Sequence, residues 1–171
     1  MTDNLQEYFP HIDEDGNILG AITRKQAHDG SKLLHPVVHL HVLNSKGELY
    51  LQLRPDWKDI QPSKWDTACG GHVDLGEDVN TALQREVREE LNITSFTPTE
   101  LGHYVFDSSM ERELVYSFKT IYDGPISINK EELADGKFWS IQDIRDNLGK
   151  KVFTPNFESE FTHYFLSARS W

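Results

Sequence analysis

The sequence predicts an α/β fold, an α/β/α sandwich in which helices cover both faces of a central mixed β-sheet. Three observations predict it. Apolar and polar residues alternate through 37–43 and again through 48–54, the period of two that marks a strand. The period becomes helical over 77–91 and again over 156–168. Short strands and helices interleave along the chain rather than segregating into halves, as layered α/β folds require.

With 171 residues the chain reads as one domain, 1–171, long enough to bury a core. A formal net charge of -11 excludes a nucleic-acid polymer as the principal partner, since that role needs a basic footprint. Small anions remain open to local cations. One cysteine, Cys69, excludes an intramolecular disulfide framework and suits a reducing cytoplasm. The opening MTDNLQEYFP lacks the basic and apolar regions of a signal peptide, and no apolar run approaches membrane-spanning length. A cytoplasmic protein with no membrane partner is expected.

Taken in order, 8–22 reads as two short strands around a turn-rich 13–17, a hairpin within an N-terminal extension of residues 5–30. Arg24, Lys25 and His28 follow without a clear period. In 37–43, His39 and His41 share a strand face, read as solvated or hydrogen-bonded rather than as a metal site, because nothing else stands at ligand spacing. The turn 44–47 leads into a second hairpin strand with Leu49, Leu51 and Leu53 on its apolar face. Arg54 and Lys58 flank Trp57 in a loop running to Trp65. Two cations and two tryptophans there suit a phosphate joined to an organic group, although surface cations and core aromatics give the same composition. Residues 101–106 and 114–121 read as strands, with Glu111 and Glu113 on one side if the second begins that early. A short strand at 137–139, a short helix at 141–148 and a last helix at 156–168 follow, the last with Phe157, Phe161, Tyr164 and Phe165 toward the core.

The helix 77–91 carries the chemistry. Val79, Ala82 and Leu83 lie on the same face as Glu86, Glu89 and Glu90, so a buried stripe turns into carboxylates. Glu86 and Glu90 repel each other at i,i+4, and the helix C-terminus disfavours all three. A solvated charged helix also carries Glu and Arg, but without acids that continue the apolar stripe. Arg85 reaches Glu89, yet one guanidinium does not balance three acids. A hard divalent ion, Mg²⁺ or Mn²⁺, fits the oxygen donors.

The order Gly71, Glu77, then Arg85-Glu86-Val87-Arg88-Glu89-Glu90-Leu91-Asn92-Ile93 resembles the Nudix box, here 71–93, the loop-helix-loop signature of Nudix hydrolases. Asn92 stands where that pattern has glycine, and asparagine is the residue that next most readily takes the left-handed conformation. The resemblance implies the Nudix fold, a homodimer, and a metal held by Glu86, Glu89, Glu90 and the Gly71 carbonyl. Arg85 would keep the glutamates in register and Glu77 would steady the loop-helix junction. The general base stays open between Glu86 and Glu89 on the helix and Glu113 and Glu132 outside it.

Residues 12–157 further resemble the isopentenyl diphosphate isomerase branch of that superfamily. The shared features are His28 and His35, the run LLHPVVHLHVLNSKGELYLQLR, Trp65 before Cys-Gly-Gly-His, Glu111-Arg112-Glu113, and Phe153-Thr154-Pro155. By that resemblance His28, His35, His72, Glu111 and Glu113 would form a second metal or substrate-contact set, against the alternative that these histidines bond backbone in the core. Arg24, Arg54 and Lys58 match diphosphate-binding cations. Trp57 and Trp65 offer surface to an isoprenoid or a base. The branch has cysteine directly before Gly-His, where this chain has Gly70, and an aromatic where it has Asn156. Cys69, one residue earlier, would face the other way. The departures point to metal-dependent cleavage of a small-molecule diphosphate of the isoprenoid, nucleotide or thiamine class. Isopentenyl-diphosphate isomerisation and a non-catalytic phosphate sensor are the alternatives.

Overall fold

A computed structural model describes residues 7–166. It opens with the expected hairpin, β1 (Tyr8–Ile12) antiparallel to β2 (Ile18–Thr23). Asp13 closes the turn by accepting the N–H groups of Asp15 and Asn17 at 3.0 and 2.9 Å. The stretch without a period begins as a short helix, α1 (Arg24–Ala27), because Thr23 and Gln26 form a capping box.

β3 (Leu34–Leu43) starts earlier than its alternation predicts and is buried throughout. β4 (Leu49–Leu53) pairs with it only at Val42↔Tyr50 and Leu43↔Leu49, and then the two splay apart. One extended segment runs between the two. As β5 (Trp65–Thr67) it pairs with β4, and past Ala68, as β6 (Cys69–His72), it pairs with β3. α2 (Val79–Leu91) begins after the predicted Glu77, because Asp78 is the N-cap and accepts the Thr81 N–H at 2.7 Å. It ends as predicted, with Asn92 left-handed at φ 56° and its N–H on the Arg88 carbonyl.

β7 (Thr99–Asp107) and β8 (Arg112–Ile121) form a long antiparallel pair, and β8 runs parallel to β3 from Leu34↔Arg112 to Leu43↔Ile121. β9 (Asp135–Trp139) covers the other edge of β4. α3 (Ile141–Asn147) and α4 (Pro155–Phe161) follow, and α4 widens into a π-type turn, Thr162–Leu166. The predicted end of that helix, Ala168, lies outside the described residues.

The alternation of β3 sorts the core. Val38, Leu40 and Val42 pack with Ala82, Leu83, Val87 and Leu91 of α2. Leu43 turns the other way, with Leu49, Leu51 and the buried Phe153, Phe157, Phe161 and Phe165. Both faces of the sheet are covered, as the sandwich reading expects. Tyr50 and Gln52, expected on a polar face of β4, are buried too, because the α2 layer covers that side. Among the described residues no helix is long and apolar enough to cross a membrane.

Candidate active site

The splay between β3 and β4 opens a cleft of about 340 Å³, along which Asp66, Gly70, Gly71 and His72 lie. The two glycines serve opposite faces. Gly71 pairs with Val38 and faces α2, whereas Gly70 pairs with His39 and faces away from it. A Cβ on Gly71 would fall 2.1 Å from the Glu86 carboxyl carbon, so a side chain there would displace that carboxylate from its place against the strand. Cys69 shares the Gly71 face. It is buried, and its Sγ donates to Glu90 Oε1 at 3.1 Å, an oxygen that also accepts the Gly70 N–H at 3.3 Å. Burial, with Glu90 beside it, pushes the Cys69 thiol well above its usual pKa. This thiol points beneath the helix, not into the space beside Gly70.

On α2, Glu86 and Glu90 face inward, but Glu89 stands at the rim with 44% of its side chain accessible, a correction to the single inward face expected for all three. Arg85 ties the region together. Its Nε and Nη2 donate to Glu77 at 2.7 and 2.9 Å, Nη1 to Glu86 at 2.8 Å and Glu89 at 3.4 Å, and Nη2 to the His72 carbonyl at 3.0 Å. Glu77 also accepts the Asp74 N–H at 3.0 Å and sits ahead of the helix, pinning the loop. Burial raises the pKa of Glu86 well above the usual carboxylate range, with Glu90 adding and Arg85 opposing. Burial likewise raises Glu90, against the thiol hydrogen bond from Cys69. Two dry carboxylates standing against the side-chain-free strand at Gly71 form an oxygen donor set that fits a hard divalent ion.

A second group gathers under the N-terminal hairpin. One ligand atom from each of His28, His35 and His72 lies within 4.8 Å of the others, and the same holds for His35, Glu111 and Glu113. His28 Nε2 stands 3.2 Å from His72 Nε2 and 3.1 Å from Glu111. Two of the rings are fixed from behind: His28 Nδ1 meets Asp59 at 2.9 Å, and His35 Nδ1 donates to the Leu33 carbonyl at 2.9 Å. His35 Nε2 is buried without a hydrogen-bond partner. Burial opposes charge on His28, but Asp59 and Glu111 outweigh it and raise the pKa to about 9. Burial lowers His35 to about 4 and takes His72 well below the usual value. Three imidazoles gathered beside Glu111 and Glu113, two of them with Nδ1 engaged from behind, could hold a divalent ion. Phe9 of β1 stacks on His72 at 4.2 Å and 3°, so the hairpin sets that ring.

The expected cations diverge. Arg24 and Lys58 line the cleft, Arg24 beside Glu7 at 3.3 Å and Asp59 at 3.8 Å. Arg54 also lines it, but its Nε and Nη2 donate to the Ile60 carbonyl at 3.0 and 2.8 Å and Nε to that of Gln61 at 3.2 Å, so it clamps the loop. Trp65 does not face the cleft as expected. It packs against Trp139 at 5.3 Å in the α4 layer, because β5 turns it that way, and Trp57 lines the cleft instead. Glu132 lies there too, its pKa raised by burial. Burial and then Glu111 raise Glu113, against hydrogen bonding from Asn156 Nδ2 at 3.2 Å. The sequence reading missed Asp59, which no pattern marks, and Glu160. The latter was signalled as an acid on the apolar Phe157-Phe161 face of the last helix. His39 and His41 are hydrogen-bonded as one reading had it, but to that buried acid and not in solvent.

A family model of the NUDIX domain matches residues 33–157. The chain is 29% identical to isopentenyl-diphosphate Delta-isomerase 1 of Photorhabdus laumondii over 158 residues, covering 88% of this chain and 90% of that protein. It is 31% identical to an uncharacterized Nudix hydrolase of Pseudomonas aeruginosa over 132 residues, 77% of this chain and 78% of that one. A solved structure from Deinococcus radiodurans superposes with a TM-score of 0.78 at 21% identity, covering 93% of this chain and 99% of the other. The MutT protein of Methanosarcina mazei gives 0.70 at 23%, over 82% and 99%. These two likenesses concern the fold. With the box loop and its glutamate helix inside the matched span, the chain belongs to the Nudix hydrolase family.

Proposed function

We propose that the protein hydrolyses a diphosphate joined to an organic moiety, releasing a phosphate or phosphomonoester, with Mg²⁺ or Mn²⁺ as the working ion. The observation that supports this best is the meeting, in one cleft, of Glu86, Glu90 and Gly71 with Arg24 and Lys58. When bound, a divalent ion neutralises phosphate charge and lowers the pKa of a coordinated water. Glu86, Glu89, Glu90 and the Gly71 carbonyl would hold it, and His28, His35, His72, Glu111 and Glu113 would hold a second. Arg85 keeps Glu86 and Glu89 in register. Arg24 and Lys58 take the phosphate oxygens, Arg54 shapes the loop that carries Lys58, and Trp57 receives the organic part. Glu89, the box carboxylate with water access, takes the proton of the attacking water, with Glu86 the next choice and Glu113 and Glu132 behind. The work is expected in the cytoplasm, which the buried thiol suits.

Isomerisation of isopentenyl diphosphate is the second reading, favoured by the histidine-carboxylate group and by the isomerase relative. Against it, no thiol faces the space beside Gly70. The test is a product screen with each ion over isoprenoid, nucleoside and thiamine diphosphates, with Glu90→Gln alongside. Metal-dependent release of phosphate or monophosphate from one class, reduced at least about 100-fold in Glu90→Gln, is expected. Conversion of isopentenyl diphosphate to its isomer with the diphosphate intact would instead establish the second reading, and binding with no turnover would indicate a sensor.

A further inference from the structure

A buried acid of α4 holds a histidine at the edge of the cleft. Glu160 is 1% exposed, and both of its oxygens are fully engaged. Oε1 meets His41 Nε2 at 3.0 Å and accepts the Ser117 hydroxyl at 2.5 Å, while Oε2 accepts the Tyr104 hydroxyl at 2.7 Å and meets His39 Nδ1. Such a set of donors favours the ionised carboxylate, and a cation beside it would offset the cost of burying that charge. His41 Nδ1 is buried without a hydrogen-bond partner. His39 is well placed. It keeps 10% of its side chain accessible and lines the cleft, and its Cδ2–Nε2 edge runs past Gly70, where an added Cβ would stand 3.3 Å from Cδ2 and 3.6 Å from Nε2. Among the described residues, neither group able to hold an ion includes His39.

We propose that His39 is a substrate-contacting residue, its Nδ1–H donated to Glu160 so that Nε2–H donates to a phosphate oxygen of a diphosphate in the cleft. The proposal rests on the diphosphate reading above and adds a residue to it that the Nudix box does not contain. The surroundings agree. Burial disfavours a charged His39 ring, but Glu160 outweighs it, and Asp66 of β5 and Glu113 of β8 act in the same direction, raising the pKa to about 9. A donor already held in place needs no reorganisation as charge shifts among the phosphate oxygens. Glu160 acts through His39 and is a positioning residue.

The test uses the full chain labelled with ¹⁵N-histidine, titrated with methylenediphosphonate, a non-hydrolysable diphosphate, in the presence of Mg²⁺. At neutral pH the His39 ring should show two N–H groups, and its Nε2–H resonance should move on binding. In Glu160→Gln the ring should lose its second proton. His39→Gln should bind the diphosphonate about tenfold more weakly or worse, while still unfolding cooperatively. Should His39→Gln fold poorly, the wild-type titration decides alone. A His39 ring that carries one proton, or that stays unmoved at saturation, would overturn the proposal and leave the diphosphate reading intact. Failure of the wild type to bind methylenediphosphonate at all would remove both.

Discussion

At position 71 a single methyl group is enough to disturb the site. With a Cβ placed 2.1 Å from the Glu86 carboxyl carbon, Gly71→Ala must drive that carboxylate off the strand. We expect hydrolysis to fall by about 100-fold while urea denaturation shows a loss of only about 1–3 kcal/mol, the range of an overpacked site. Equal activity in the variant would show that Glu86 has no catalytic place there. The pattern of the sequence marks Gly71, Arg85 and the glutamates, because their spacing along one helix and its loop is local information. It does not tell how deep each acid sits. Glu86, Glu89 and Glu90 lie within one sector of the helix, and only packing against β6 decides that Glu89 is left at the rim. His39 and His41 visibly share a strand face, but the partner that makes them buried lies 121 and 119 residues further along. Trp65 misled for a simpler reason: in a loop-to-strand transition the parity of side chains is not readable until the strand is paired.

At the scale of elements, α4 is anchored by an acid as well as by its phenylalanines. The Glu160 pKa lies well below the usual value of 4.5, so its contribution to stability is present above that value and is lost as pH falls through the lower folded one. The His39 pKa is raised from 6.5 to about 9, so its contribution is complete below 6.5 and is lost as pH rises through about 9. Glu160→Ala should therefore cost about 3–5 kcal/mol near pH 6, and the gap to the wild type should shrink toward about pH 10. Chemical denaturation of both proteins at the two pH values reads it directly, and a gap independent of pH would break the linkage of the pair. Most strands were legible because their period is local. α1 was missed although Thr23 and Gln26 stand at capping-box spacing. The parallel pairing of β3 with β8 joins segments too far apart in sequence for any periodicity to reveal.

For the molecule as a whole, the fold class follows from interleaved periods, whereas the cleft follows from a splay between β3 and β4 that no local pattern encodes. The net charge of -11 acts at this scale. It repels an anionic substrate at a distance, and salt shortens the reach of that field to about 8 Å near 0.15 M. Raising ionic strength from about 0.01 to about 0.15 M should thus increase kcat/KM for a diphosphate severalfold, measured as initial rates at low substrate. A fall would show that Arg24 and Lys58 dominate the approach. The bare strand at Gly70 bears on descent as well. With a Cβ there 3.3 Å from the His39 ring, a cysteine at position 70 requires that ring to give by a few tenths of an ångström. Acquiring a cysteine there in descent therefore draws the His39 and Glu160 pair into the change, because the new side chain arrives against the ring that the acid holds.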